Sequence, residues 1–269
     1  MKIKFTKMQA FGNDYVYINA IDQELGDLSE LARFVSDRHF AIGSDGMVLI
    51  CPSTVADFRM RMFNPDGTEG EMCGNAIRCV GKYVYDHKVI PEKNPLAVET
   101  LGGTKYLDLT VKDGKVTEVT VDMGVPELTS QLPEPIVVDG QELEFVGISV
   151  GNPHAVYFCE DIDSLDLEKI GPAYENHPRF PNRVNTEFIQ LVDRNHIRMR
   201  VWERGSGETW ACGSGATASV TACILLGYTD EKVEVELRGG TLTIEWNRET
   251  GRIYMTGPAV EVFSGELTD

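Results

Sequence analysis

No stretch of the 269-residue chain is apolar for long enough to cross a bilayer; the longest helical candidate, near Ile224 to Leu226, is short and interrupted by small and polar residues. Met1 to Phe11 alternates charged with apolar side chains and lacks the continuous apolar stretch of a signal peptide, so the cytoplasm is the expected location. Positive charge is scarce as well. Against 42 Asp and Glu stand 25 Lys and Arg, a formal net charge of -17, and a polyanion of this kind repels nucleic acid and anionic membrane surfaces. A small molecule is the expected partner. Cysteine pairs of the metal-binding kind are also missing. None of Cys51, Cys73, Cys79, Cys159, Cys212 and Cys223 lies in a C-x-x-C pair, and Cys73 and Cys79 would fall on different faces of a helix, so no metal is expected. All six are expected to be reduced thiols. The chain also lacks the glycine-rich phosphate cup that a pyridoxal cofactor normally needs, and no cofactor is expected.

With 42% hydrophobic residues the chain has enough apolar surface for one large domain or two ordinary ones. An internal repeat favours two. Arg59-Met-Arg-Met-Phe63 precedes Cys73-Gly74 by the same interval that separates Arg198-Met-Arg-Val-Trp202 from Cys212-Gly213, and the shift between the copies is 139 residues. The same shift carries Gly12-Asn13 onto Gly151-Asn152 and Glu69 onto Glu208. The register therefore holds over roughly sixty residues of each half without insertion.

Strands are predicted for Ile3 to Ile18, Gly46 to Ile50 and Phe58 to Phe63, and for Leu96 to Met123 with a break at Asp113-Gly114. In the second half Phe145 to Cys159, Thr186 to Val192, Ile197 to Glu203 and Lys232 to Glu261 repeat the pattern, the last interrupted at Gly239-Gly240 and Gly251. Asp27 to Arg38 reads as a helix capped by Asp27. A second type of helix follows each duplicated cysteine, from Gly74 towards His87 and from Gly213 towards Leu226, where Gly227 ends it. The boundary between halves is expected after about residue 120, where Met123 to Gly140 is rich in Pro and Gly.

A cysteine at a helix N-terminus sits beside backbone N–H groups and the positive end of the helix dipole, which is expected to favour the thiolate. Two equivalent thiols in a twofold-like protein point to chemistry that is nearly symmetric about one atom. Stereoinversion is such chemistry: a thiolate removes a proton from one face of a carbon and a thiol returns one to the other. Mutual repulsion keeps one sulfur protonated while the other is ionised. The backbone N–H groups of Gly74, Asn75, Gly213 and Ser214 are candidates to grip a carboxylate as carbanion charge spreads into it.

At these residues the sequence resembles the diaminopimelate epimerase family over essentially its whole length. The likeness rests on Phe11-Gly-Asn-Asp14, Asn64-Pro-Asp-Gly-Thr68, Met72-Cys-Gly-Asn-Ala-Ile-Arg78, Gly151-Asn-Pro-His154, Arg183-Val-Asn-Thr-Glu187 and Glu203-Arg-Gly-Ser-Gly-Glu-Thr-Trp-Ala-Cys-Gly-Ser-Gly-Ala216. The resemblance implies an α/β (α+β) fold of two pseudo-symmetric domains, each a mixed sheet wrapped around a central helix, with the active site in the cleft between them. It places residues 1–120 and about 258–269 in the Cys73 half and 121–257 in the Cys212 half. It implies a cofactor-independent epimerase, often a homodimer, acting on L,L- and meso-diaminopimelate in lysine and cell-wall precursor biosynthesis.

By the same resemblance Cys73 and Cys212 are the acid–base pair, Gly74, Asn75, Gly213 and Ser214 hold the reacting carboxylate, and Asn13, Asn64, Asn152, Asn185, Glu203 and Arg204 read the remaining charged groups. Such an inventory suits a substrate with two ammonium and two carboxylate groups. Ser44 stands where many members carry a glutamine or other substrate-facing side chain, and Pro65 is a departure that a loop accepts. Taken singly, each asparagine also reads as a turn or cap residue, and Glu203-Arg204 as a surface pair. His154 reads either as a group that orients a thiol or substrate, or as a structural histidine. Two other activities stay open. A proline racemase or hydroxyproline epimerase on this scaffold commonly has His after the first Cys-Gly, where this chain has Asn75, and a cysteine hydrolase using His154 leaves one duplicated cysteine idle.

Overall fold

The computed structural model describes residues 2–268; Met1 and Asp269, the outer ends of the expected first half, lie outside the described residues. The chain divides into two compact units, Met1–Val121 with Gly257–Asp269, and Asp122–Thr256. Among the described residues no helix is long and apolar enough to cross a membrane.

In the first unit the hairpin Ile3–Ala10 and Asn13–Asn19 leads into helix α1 (Leu28–Ser36), whose N-cap Asp27 accepts a hydrogen bond from the Glu30 N–H at 3.0 Å. The chain returns as Met47–Cys51, parallel to Asn13–Asn19, and turns back as Phe58–Phe63. Helix α2 (Gly74–Asp86) then crosses to Leu96–Thr100, parallel to Phe58–Phe63, and antiparallel strands follow. The last strand, Val260–Leu267, pairs antiparallel with Ile3–Ala10. Helix α2 packs on Ile3–Ala10, Asn13–Asn19, Gly103–Lys112 and Val260–Leu267, strands far apart in the sheet order, so this mixed sheet curls around the helix.

The second unit repeats the plan. Pro153–Phe158 runs parallel to Asn185–Asp193, which pairs antiparallel with His196–Glu203. Helix α3 (Leu167–Glu175) matches α1, and α4 (Gly213–Leu225) matches α2, each residue for residue at the shift of 139. Strand registers repeat too: Val16 faces Met47 as Ala155 faces Thr186, and Met47 faces Phe63 as Thr186 faces Trp202. The bidentate Arg61–Glu69 pair recurs as Arg200–Glu208. Helix α4 is buried on all faces, as an apolar helix without a polar stripe must be, and Gly227 ends it at φ +75°.

Helix α3 is the one helix absent from the sequence reading. Pro172 inside it and an N-cap, Asp166, whose side chain makes no capping bond leave little local signal. Two strands, Glu127–Leu128 and Glu134–Val138, also occupy the segment read as a Pro- and Gly-rich boundary. Packing rather than propensity holds α3 in place. Leu167 joins Phe145, Tyr157, Phe188 and Trp202 in the core, and Gly171 lies flat on the Trp202 ring, where a Cβ would approach Cδ2 to 2.2 Å. The Trp202 indole is itself pinned by a hydrogen bond to Glu175 at 2.8 Å. Gly171→Ala is therefore expected to destabilise the protein by about 1–3 kcal/mol, although alanine is the better helix former. Urea unfolding midpoints would show it; an unchanged or higher midpoint would mean that α3 shifts freely over the ring.

Candidate active site

Cys73 and Cys212 are the N-cap residues of α2 and α4, both in extended backbone conformation. Beside each lies a first helical turn whose N–H groups the helix's own carbonyls do not reach, at Gly74 and Asn75 in one unit and Gly213 and Ser214 in the other. The positive end of the helix dipole adds to this donor array. Each turn is a place for an anionic group.

In the first unit the half-buried Cys73 thiol donates to Asn13 Oδ1 at 3.3 Å, while Asn13 Nδ2 donates to Asp45 Oδ2 at 2.9 Å. Asp45 is held by Arg38, which also binds Asp14, and Asp14 takes a second contact from Lys7 at 2.5 Å. Tyr15 lies against Cys73 and Asn13; burial pushes its phenol well up, and the adjacent thiol adds to that. Beneath the first turn the fully buried Arg78 guanidinium donates to Gly74 O, Asn75 Oδ1 and Pro258 O and stacks over Phe11.

In the second unit Cys212 is buried, and its sulfur accepts from the Gly215 N–H at 3.3 Å and lies 3.5 Å from Ser214 Oγ. Ser214 Oγ accepts from Asn152 Nδ2 at 3.3 Å, and Asn152 Oδ1 faces His154 Nε2 at 3.0 Å. The other ring nitrogen of His154 meets Glu187 Oε1 at 2.7 Å, with both side chains fully buried. Thr209 donates to Glu203 Oε1 at 2.5 Å. Burial pushes the Glu203 carboxyl up, against the opposing influence of that hydrogen bond and of His154.

The expectation that a helix N-terminus favours the thiolate does not hold for Cys212. Burial and the nearby carboxylates of Glu203 and Glu187 push its thiol well up, outweighing the hydrogen bonds from Ser214 and Gly215. A helix dipole contributes about 0.3–1 kcal/mol at an exposed end, which is small beside the cost of burying an unpaired charge. Burial likewise raises Cys79 and Cys159 to about 11 and Cys223 to about 12.

The candidate residues named from the sequence fall into distinct settings. Asn13 and Cys73 are in contact, as are Asn152, Ser214 and Cys212. Asn64 closes its own turn through Thr68. Asn185 braces the backbone, donating to Pro153 O and accepting from the Arg204 N–H. Arg204 is exposed, not buried, and its guanidinium reaches Asn182 O at 3.4 Å. Ser44 is buried with its hydroxyl turned onto Gly46 O at 2.8 Å, so that side chain points away from solvent. Sequence reasoning missed Tyr15, Asp45, Arg78, Glu187 and Thr209. The shift of 139 relates Tyr15 to His154 and was the available signal for it.

Solved structures with this architecture come from racemases, epimerases and their structural kin. A probable proline racemase from Agrobacterium radiobacter superposes with a TM-score of 0.75 at 15% identity, covering 99% of this chain and 93% of that one. A hydroxyproline epimerase from Agrobacterium vitis gives 0.74 at 15%, over 99% and 91%. A Bacillus anthracis phenazine biosynthesis protein gives 0.75 at 19%, over the full length of both chains. Sequence narrows the class: the diaminopimelate epimerase profile matches residues 5–129 and 146–262. Diaminopimelate epimerases from Methanococcus maripaludis and Agathobacter rectalis are 53% and 54% identical to this chain, each over 98% of it and 99% of the relative. The chain belongs to the diaminopimelate epimerase family.

The network beneath Asn13 gives a pH signature. Burial pushes the Asp14 carboxyl up, but the hydrogen bonds and charges of Arg38 and Lys7 prevail and hold it below its ordinary 3.8. Because the folded value is depressed, the stabilisation is complete above the unfolded value and is lost as pH falls through the folded one. Asp14→Asn should therefore flatten the fall in stability below about pH 4. Urea midpoints of both proteins across the acid range test this; parallel curves would remove Asp14 from the acid-sensitive groups.

Proposed function

We propose that this chain interconverts L,L- and meso-diaminopimelate without a cofactor, with Cys73 and Cys212 as its two acid–base groups. The observation that carries the reading is the presence of both cysteines at matched helix N-caps in a chain more than half identical, over nearly its whole length, to diaminopimelate epimerases. The ionised sulfur takes the α-hydrogen from one face of the carbon, and the protonated sulfur delivers a proton to the other. Reversal exchanges their roles. The α-carboxylate accepts hydrogen bonds from the first-turn N–H groups at Gly74, Asn75, Gly213 and Ser214, which are already oriented when carbanion charge flows into it.

Asn13 and Asn152 belong to this reading as groups beside each sulfur, held by Asp45 and by His154. Glu203 supplies an anionic contact for an ammonium group and Arg204 a cationic one for the distal carboxylate. Asn64 and Asn185 shape the loops that carry them, and Ser44 contributes through its loop rather than its inward-turned hydroxyl. A homodimer in the cytoplasm completes the proposal.

Incubation with L,L-diaminopimelate in heavy water, followed by chiral separation, should yield the meso isomer carrying deuterium at one α-carbon. Activity should survive dialysis against a chelator and a carbonyl reagent. Cys73→Ala and Cys212→Ala should each lower epimerisation on the order of 10²–10⁴-fold, with the double variant little worse than either single one. Near wild-type turnover in either single variant would make that cysteine merely structural.

Substrate choice is a separate test. Lysine lacks the distal carboxylate, so it should react roughly 10⁴-fold less efficiently than diaminopimelate in kcat/KM. Efficient racemisation of lysine or proline would move the activity to a neighbouring family.

A further inference from the structure

The two halves are alike in backbone and unlike in charge around their cysteines. At the shift of 139, Glu187 replaces Val48, Glu203 replaces Asn64 and His154 replaces Tyr15. Glu187 is fully buried on the strand Asn185–Asp193, with Oε1 on His154 and Oε2 lacking any hydrogen-bond partner. It also faces the first turn of α4 directly. A Cβ added to Gly215 would lie 2.7 Å from Glu187 Oε1 and 3.3 Å from Cys212 Sγ, so carboxylate and sulfur flank one spot that only glycine leaves open.

We propose that Glu187, together with Glu203, holds the proton on Cys212 in the empty enzyme, making Cys212 a thiol at rest. The inference rests on the two cysteines being the acid–base pair. The groups facing Cys212 are Glu187 from one strand, Glu203 from the next, His154 from a third, and Ser214 Oγ and the Gly215 N–H from its own helix. Two carboxylates disfavour a third negative charge in a space with little water. His154 opposes them, but it reaches the sulfur only through Asn152 and Ser214, whereas the Glu187 carboxylate abuts the helix turn itself. The carboxylates therefore prevail over the imidazole and the two weak donors.

The test follows each sulfur separately. Wild-type protein is treated with iodoacetamide over a range of pH, and the extent of modification of Cys73 and Cys212 is measured by peptide mass spectrometry. Comparison of pH midpoints rather than rates removes the effect of burial on access. The midpoint of Cys212 should lie above that of an ordinary exposed thiol. Glu187→Gln should lower the Cys212 midpoint by about one pH unit, a roughly tenfold gain in thiolate below it, and leave that of Cys73 in place. Faster modification of Cys212 at every pH with an unmoved midpoint would show a purely structural role and overturn the proposal. A wild-type Cys212 midpoint at or below that of an ordinary exposed thiol would overturn it without recourse to any variant. Epimerase activity of Cys73→Ala and Cys212→Ala is assayed alongside: retained activity rejects the acid–base pair itself, whereas inactive cysteine variants with unshifted midpoints in Glu187→Gln reject only the part given to Glu187.

Discussion

A helix sunk into a sheet on every side has first-turn N–H groups beyond the reach of its own carbonyls, and in both units a cysteine caps that turn. Helices α2 and α4 are each enclosed by strands from both ends of their sheet, and at the N-terminal end of each the backbone donors meet a cysteine. The donors cost nothing to orient because the helix is already locked by packing. A carboxylate brought to such a turn is met by fixed dipoles where water would have to reorganise. Gly215 leaves room for the buried Glu187 carboxylate beside the α4 turn.

Duplication copies this arrangement faithfully in the backbone, down to matching helix ends and matching Arg–Glu pairs. The side chains around the two sulfurs have not stayed equal. One half sets its thiol beside a tyrosine and an asparagine tied to a surface ion-pair network. The other surrounds its thiol with two carboxylates and a fully buried histidine. In the proposed reaction the two faces of one carbon are served by sulfurs whose electrostatic surroundings differ.

Much of this was legible in the sequence because it is written as repetition. The shift of 139 located both cysteines, both buried helices and the paired strands, and the turn signals at Asp113-Gly114 and Gly227 marked real ends. Helix α3 was not legible locally, since a proline interrupts it and its stability comes from Trp202 and the aromatic core. The four asparagines looked alike as letters but have diverged in use: Asn185 spends its amide on the backbone, while Asn13 and Asn152 stand next to sulfur. Ser44 and Arg204 take opposite settings, one buried and one exposed, because side-chain direction in a loop is set by neighbours far along the chain. The raised Cys212 pKa has the same origin: the dipole is a local property, but burial and Glu187 are not.

The strand Val260–Leu267 completes the first unit by pairing with Ile3–Ala10. It brings Pro258 O onto Arg78 below the α2 turn as well. Synthesis on the ribosome gives this connection an order in time. Asp122–Thr256 is continuous and can collapse as soon as it emerges, whereas the first unit, though made earlier, must wait with an unpaired strand edge and an incomplete cradle for Arg78 until Val260–Leu267 emerges. The half begun first is finished after the other, and loss of Val260–Leu267 acts on the Cys73 side of the enzyme.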